Sequence, residues 1–213
     1  MFDASGAGWD YDWLVLLIGG HSAAGKTTAA ERIGLSLGVP WLMVDDVRLA
    51  FQRADVTLPK GTESLYADKR PDFRNRTPEE QCAALIDVGG VMSAPLEAIV
   101  ENHVDQQIPI VIEGDGALPS LLARPSMLER AAWIRAAFIV EPDESALRAA
   151  LVARGGSWVA GRTQAELQAE VRGKWLFGQW LAEEASRRNL EVVEPRPRDT
   201  LPERLIEAAT GAR

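Results

Sequence analysis

Gly20-His21-Ser22-Ala23-Ala24-Gly25-Lys26-Thr27 satisfies the pattern G-x-x-x-x-G-K-[ST] at every fixed position. Its flanks carry equal weight. Leu14-Val15-Leu16-Leu17-Ile18 is an unbroken apolar run, as a strand buried on both faces requires. Thr28 to Leu37 follows with Ala29, Ile33 and Leu37 on one helical face and Glu31 and Arg32 off it. Strand, glycine turn and helix start are the setting in which this pattern binds phosphate. Gly20 and Gly25 permit backbone conformations and close approach that a side chain blocks. Successive N–H groups through Ala23, Ala24, Gly25 and Thr28 then converge on phosphate oxygens at the helix N-terminus. Lys26 is placed to reach the β- and γ-phosphates of a nucleoside triphosphate such as ATP, and the Thr27 hydroxyl to ligate Mg²⁺.

A chain of 213 residues suits one α/β domain over 1–213, with an insert over about 48–106 and a lid over about 154–162. The formal net charge of -8 argues against broad nucleic-acid or membrane-surface binding, which need positive potential. Cys82 is the only cysteine, so neither a disulfide framework nor a zinc cluster is available, and a cytoplasmic setting fits. No stretch reads as a membrane span, and Met1-Phe2-Asp3-Ala4-Ser5 lacks the basic region of a signal peptide.

Two further apolar runs end in carboxylates. Trp41-Leu42-Met43-Val44 reads as a second buried strand closing in Asp45-Asp46, with Arg48 just beyond. In open parallel sheets the carboxyl ends of strands face the ligand crevice, so these acids fall near the phosphates. One of them can alternatively cap a helix beginning near Val47. Ile108-Pro109-Ile110-Val111-Ile112 is a third strand, ending Glu113-Gly114-Asp115-Gly116. A carboxylate in that place holds Mg²⁺ or orients an acceptor; Glu113 is the first candidate and Asp115 the second. Arg135 to Val140 forms a fourth strand and Leu190 to Val193 a fifth.

Between them, residues 48–76 are locally basic, which suits either a solvated loop or an anionic substrate. Thr77-Pro78-Glu79-Glu80 opens a helix to about Gln106, with Gly89-Gly90 and Pro95 expected to bend or interrupt it. Gly155 to Gly161, flanked by Arg148, Arg154 and Arg162, has the make-up of a lid closing over phosphates. Thr163-Gln164-Ala165-Glu166 starts a long helix, on which Trp175, Phe177 and Trp180 read as core or homodimer contacts. Pro195-Arg196-Pro197-Arg198 is a rigid basic turn, and Arg198 is a candidate nucleotide contact.

The order of elements resembles the small P-loop kinases related to nucleoside monophosphate, shikimate and gluconate kinases. That resemblance implies a three-layer P-loop NTPase fold: a five-stranded parallel sheet, a helical acceptor-binding insert and a short lid. Three stretches are similar to 2-phosphoglycerate kinase-like proteins: Ile18 to Thr28, Asp45-Asp46-Val47-Arg48, and Val111-Ile112-Glu113-Gly114. Asp46 and the run Gly114-Asp115-Gly116 depart from that group's pattern. The resemblance implies phosphoryl transfer from ATP with Mg²⁺ to a small hydroxylated acceptor. Asp45 would then orient or deprotonate the hydroxyl, Arg48 would bind acceptor charge, and Arg154 and Arg162 would neutralise the moving group. A nucleoside or nucleotide kinase and an NTP-binding regulatory protein remain as alternatives. The first needs a base pocket in an insert whose rings are Phe51, Tyr66 and Phe73; the second would use the tryptophan-bearing helix as an interaction face.

Overall fold

Strand β1 (Val15–Gly20) sends its side chains alternately to two different helical layers, and the molecule is built outward from it. The computed structural model describes residues 11–54, 59–69, 73–155 and 161–211. The other strands are β2 (Trp41–Met43), β3 (Ile110–Gly114), β4 (Ile134–Ile139) and β5 (Glu191–Val193). All pair in parallel, in the order β2-β3-β1-β4-β5. The helices are α1 (Lys26–Leu37), α2 (Val44–Arg53), α3 (Pro78–Asp105), α4 (Pro125–Glu129), α5 (Glu144–Arg154), α6 (Gln164–Ser186) and α7 (Leu201–Gly211).

Val15, Leu17, Ile112 and Phe138 face one way, toward Met92 and Leu96 of α3 and Phe177 and Leu181 of α6. Leu16, Ile18, Val111 and Ile139 face the other, toward Ala29 and Ile33 of α1 and Leu205 of α7. Continuous apolar runs in β1, β3 and β4 are thus explained by helices on both faces. The three-layer α/β arrangement with a five-stranded parallel sheet is the expected one. Helices α5 and α6 form a separate small cluster through Leu147, Leu151, Leu167 and Val171.

Several local expectations are corrected. Helix α2 starts at Val44 rather than near Val47, with Met43 as an uncapped N-cap, so Asp45 and Asp46 lie in its first turn and neither caps it. Strand β2 is a half-buried edge strand, one residue shorter than its apolar run. Neither Gly89-Gly90 nor Pro95 interrupts α3, which runs unbroken for 28 residues. At Gly89 a Cβ would come within 2.6 Å of the Leu118 side chain, so the glycine serves packing and does not break the helix. By length and composition α3 is also apolar enough to cross a membrane, contrary to the expectation that no stretch is. Here it packs against α6, with Met92, Leu96 and Val100 fully buried. Within the insert expected over 48–106, the described residues between α2 and α3 form short 3₁₀ turns at Glu63–Lys69 and Phe73–Asn75, and α3 supplies most of the remainder. Residues 55–58 and 70–72 of the insert and 156–160 of the expected lid lie outside the described residues.

Candidate active site

The turn between β1 and α1 is shaped by three backbone conformations. Gly20 has φ 148, and a Cβ there would lie 2.5 Å from the Ile139 carbonyl oxygen, so this glycine lets the chain pass close to β4. Ala23 takes φ 64, and Gly25 is the left-handed N-cap of α1 at φ 95. No side chain caps that helix end. An uncapped N-terminus facing a cleft is an anion site, since its amides and the helix dipole both favour negative charge.

The cleft measures about 840 Å³. Ala23, Gly25, Lys26, Thr27, Thr28, Asp45, Asp46, Glu113, Asp115, Arg154 and Arg198 all line it. Gly20, Ala24, Arg48 and Arg162 are not among its described lining. Ala24 is 1% exposed and packs into the core beneath the loop.

The two carboxylates at the end of β3 divide the work. Glu113, paired in register with Ile18, accepts a hydrogen bond of 2.8 Å from the Thr27 hydroxyl. Asp115 accepts 2.5 Å from Lys26 Nζ on one oxygen and 2.7 Å from the Ser22 hydroxyl on the other. Lys26 also donates to the His21 carbonyl at 2.9 Å. Burial pushes the Glu113 carboxyl above its ordinary range; the nearby Lys26 charge and the Thr27 bond oppose this, while Asp115 and Asp45 add to it. Burial would raise Asp115 too, but the adjacent Lys26 ammonium, the bonds from Lys26 and Ser22 and the charge of Lys174 outweigh it, holding Asp115 at about 2.

Among the described residues no group of three or more His, Cys, Asp or Glu could enclose a metal. Mg²⁺ needs no such cage: it takes one or two carboxylates, substrate phosphates and several waters. The Thr27 hydroxyl and Glu113 carboxylate, hard oxygen donors already 2.8 Å apart, fit that demand.

Asp45 lies on the cleft wall, its side chain 64% exposed, with Arg48 Nη2 3.3 Å from its carboxylate. Arg48 thus pairs with Asp45 in this structure and is not among the described lining of the cleft. Arg154, at the end of α5, does line the cleft, whereas Arg162 is turned into an ion pair with Glu170 of α6. Arg198 donates to the Ala23 carbonyl at 3.1 Å and stands beside Gly25, at the loop's outer edge.

Sequence reasoning overlooked His21. Its ring is 1% exposed; Nε2 accepts the Glu141 backbone N–H at 2.8 Å, so Nδ1 carries the proton and donates to the Ser22 carbonyl at 2.9 Å. Burial lowers its pKa to about 4, with Lys26 contributing, so the ring is neutral. Glu141 is itself gripped by both Arg196 Nη atoms, at 2.7 and 2.9 Å. Loop, β4 and the basic turn after β5 are thereby joined. The pattern's variable positions carry no sequence signal for such a role. Lys174 and Glu170 of α6 were overlooked as well, because Glu and Lys four residues apart read as an ordinary solvent-facing helix pair.

No protein-family model matches the chain, and no curated protein matches it. Solved structures do. A sugar kinase from Janibacter sp. HTCC2649 superposes with a TM-score of 0.53 at 14% identity, over 94% of this chain and 98% of that one. A gluconokinase from Sinorhizobium meliloti 1021 gives 0.52 at 16%, over 93% of each. A shikimate kinase from Acinetobacter baumannii, in complex with shikimate, gives 0.50 at 16%, over 92% of each. The fold is that of these kinases. At such identity the likeness is one of architecture, and the chemistry has to be argued from the cleft.

Proposed function

We propose that this protein is an ATP-dependent kinase that transfers the γ-phosphoryl group to a hydroxyl of a small, anionic metabolite. One observation carries the reading: Lys26, the Thr27–Glu113 pair and Asp45 open onto a single cleft beside an uncapped helix N-terminus. Phosphoryl transfer asks a protein for positioning and charge neutralisation, and this set supplies both. The kinases of like fold are a gluconokinase, a sugar kinase and a shikimate kinase, which supports a hydroxylated acceptor. The lone thiol at Cys82 supports a reducing, cytoplasmic setting.

In this reading the amides of the loop and of the α1 N-terminus hold the triphosphate. Lys26 exchanges its bond to Asp115 for the β- and γ-phosphates. Thr27 and Glu113 would hold Mg²⁺, which would supply neutralisation of phosphate charge. Asp45 accepts the acceptor's hydroxyl proton as the new O–P bond forms and the β–γ bridge breaks, leaving ADP. Arg154 faces the charge developing on the moving group, and Arg198 flanks the loop on the donor side. A base-stacking acceptor pocket gains no support. Phe51 packs on the core, the Tyr66 hydroxyl donates to the Phe51 carbonyl, and Phe73 lies under Arg76.

The test is an acceptor screen with purified protein, ATP and Mg²⁺, covering sugar acids, polyols, hydroxy acids, their phosphates and nucleosides. An acidic polyol or hydroxy acid consumed with stoichiometric ADP release, and no turnover by Lys26→Ala, is the expected result. Faster phosphorylation of nucleosides would favour the nucleoside kinase. Tight ATP binding with no acceptor and a stable protein partner would favour the regulatory protein.

A further inference from the structure

A single carboxylate bridges the phosphate loop. Asp115 accepts 2.5 Å from Lys26 Nζ on one oxygen and 2.7 Å from the Ser22 hydroxyl on the other, and all three groups line the cleft. A terminal phosphate asks for the same kind of partners, since its oxygens accept charge-assisted bonds from an ammonium and further bonds from a hydroxyl. The carboxylate thus has the donors that a phosphate group would take.

The pair is well made. The Lys26 side chain is 7% exposed and that of Asp115 28%. Against burial, the Lys26 ammonium, the bonds from Lys26 and Ser22 and the charge of Lys174 hold Asp115 at about 2, so it is ionised through the neutral range. The other hydrogen bond from Lys26 goes to the His21 carbonyl, a neutral acceptor within the loop itself. Glu113 also feels the Lys26 charge, but it accepts its hydrogen bond from Thr27.

The backbone that carries Asp115 has little room to withdraw. Its turn is closed by the Ala117 N–H on the Gly114 carbonyl at 3.2 Å and the Leu118 N–H on the Gly116 carbonyl at 3.1 Å. Both flanking glycines are pressed on α2: a Cβ at Gly114 would lie 2.5 Å from Val44 Cβ, and one at Gly116 3.1 Å from Val44 Cγ1. A γ-phosphate that reaches Lys26 therefore meets an ionised carboxylate at close range, and the two anions compete for one ammonium. A diphosphate is one phosphate shorter and leaves the pair in place.

We propose that Asp115 is an internal stand-in for the γ-phosphate, holding Lys26 and Ser22 until a triphosphate displaces it, and so sets the loop's selectivity between nucleoside tri- and diphosphates. This rests on the nucleotide-binding half of the kinase reading. Asp115 subtracts from triphosphate affinity and leaves diphosphate affinity nearly untouched. Once the γ-phosphate has gone, the pair closes again and gives the buried ammonium its counter-charge.

Calorimetry on the full chain with saturating Mg²⁺ tests it, with ADP and a non-hydrolysable ATP analogue as probes. In Asp115→Asn the preference for the analogue over ADP should grow at least about tenfold, the value of one charge-assisted contact, while the ADP Kd stays within about threefold of wild type. Asp115→Ala carries the same expectation. An unchanged preference, or an equal loss of affinity for both nucleotides, overturns the proposal. Crystals of the wild-type protein with each probe give a reading that needs no variant: the Asp115–Lys26 contact should persist with ADP and be broken with the analogue. A contact that survives beside the γ-phosphate overturns the proposal as well. If wild type binds neither nucleotide, the nucleotide-binding reading fails and takes this proposal with it. If selectivity shifts as expected but no acceptor is ever phosphorylated, the proposal stands and the kinase reading alone fails.

Discussion

On the donor side of the cleft each group is held by another: Lys26 by Asp115 and the His21 carbonyl, Thr27 by Glu113, the His21 ring by Glu141, and Arg198 by the Ala23 carbonyl. Elsewhere on the cleft wall Asp45 stands 64% exposed on a helix whose N-terminus no side chain caps, ahead of the short 3₁₀ turns that lead to α3. The contrast matches the two tasks. A triphosphate is the same in every turnover and can be met by a rigid, prearranged surface. In the proposed reaction an acceptor must enter, be recognised and leave, and it would meet the less constrained wall.

The sharpest way to break this comparison is to strike both walls and compare the losses. Lys26→Ala should cost on the order of 10²–10³-fold in kcat and weaken ATP binding as well. Asp45→Asn should cost on the order of 10²-fold in kcat while leaving the nucleotide Kd unchanged. If Asp45→Asn turns over at the wild-type rate, the exposed wall does not carry the base. Glu113→Gln should raise the Mg²⁺ concentration for half-maximal activity on the order of tenfold, with metal-free nucleotide binding retained. The same shift from Asp115→Asn instead would reverse the division of labour between the two carboxylates.

Two smaller effects probe the rigidity of the donor wall. Gly178→Ala places a methyl group 2.8 Å from the His21 ring and should lower stability by about 1–3 kcal/mol in urea unfolding. The His21 ring, at about 4 when folded against 6.5 when free, binds fewer protons in the native state. Stability from this source is therefore complete above pH 6.5 and declines as pH falls toward 4, by at most about 1.4 kcal/mol per pH unit. His21→Asn should flatten that part of the pH–stability profile.

The fold was legible because its central strands are buried on both faces, which leaves runs such as Leu14 to Ile18 with no polar interruption. The loop was legible because its chemistry fixes residue types at fixed spacing. Where tertiary packing overrides local preference, reading along the chain misleads. Gly89 and Pro95 look like breakers, yet α3 continues because its neighbours bury it and because Leu118 occupies the space a Cβ would need. Asp45 and Asp46 look like caps, yet the helix begins one residue before them. Arg162 was expected over the phosphates and is instead paired with Glu170, a carboxylate eight residues further along the chain. The contact of α6 with the phosphate loop depends on which face of the helix brings Gly178 to His21, and no one-dimensional spacing contains that.

The neutral imidazole of His21 has a calorimetric consequence. Because its two nitrogens fix the loop between Ser22 and Glu141, and Arg196 fixes Glu141 in turn, the donor wall loses its conformational freedom when the chain folds. Nucleotide should then bind with a small heat-capacity change and little ordering of the protein. The acceptor, meeting the exposed wall, should bind with a larger one.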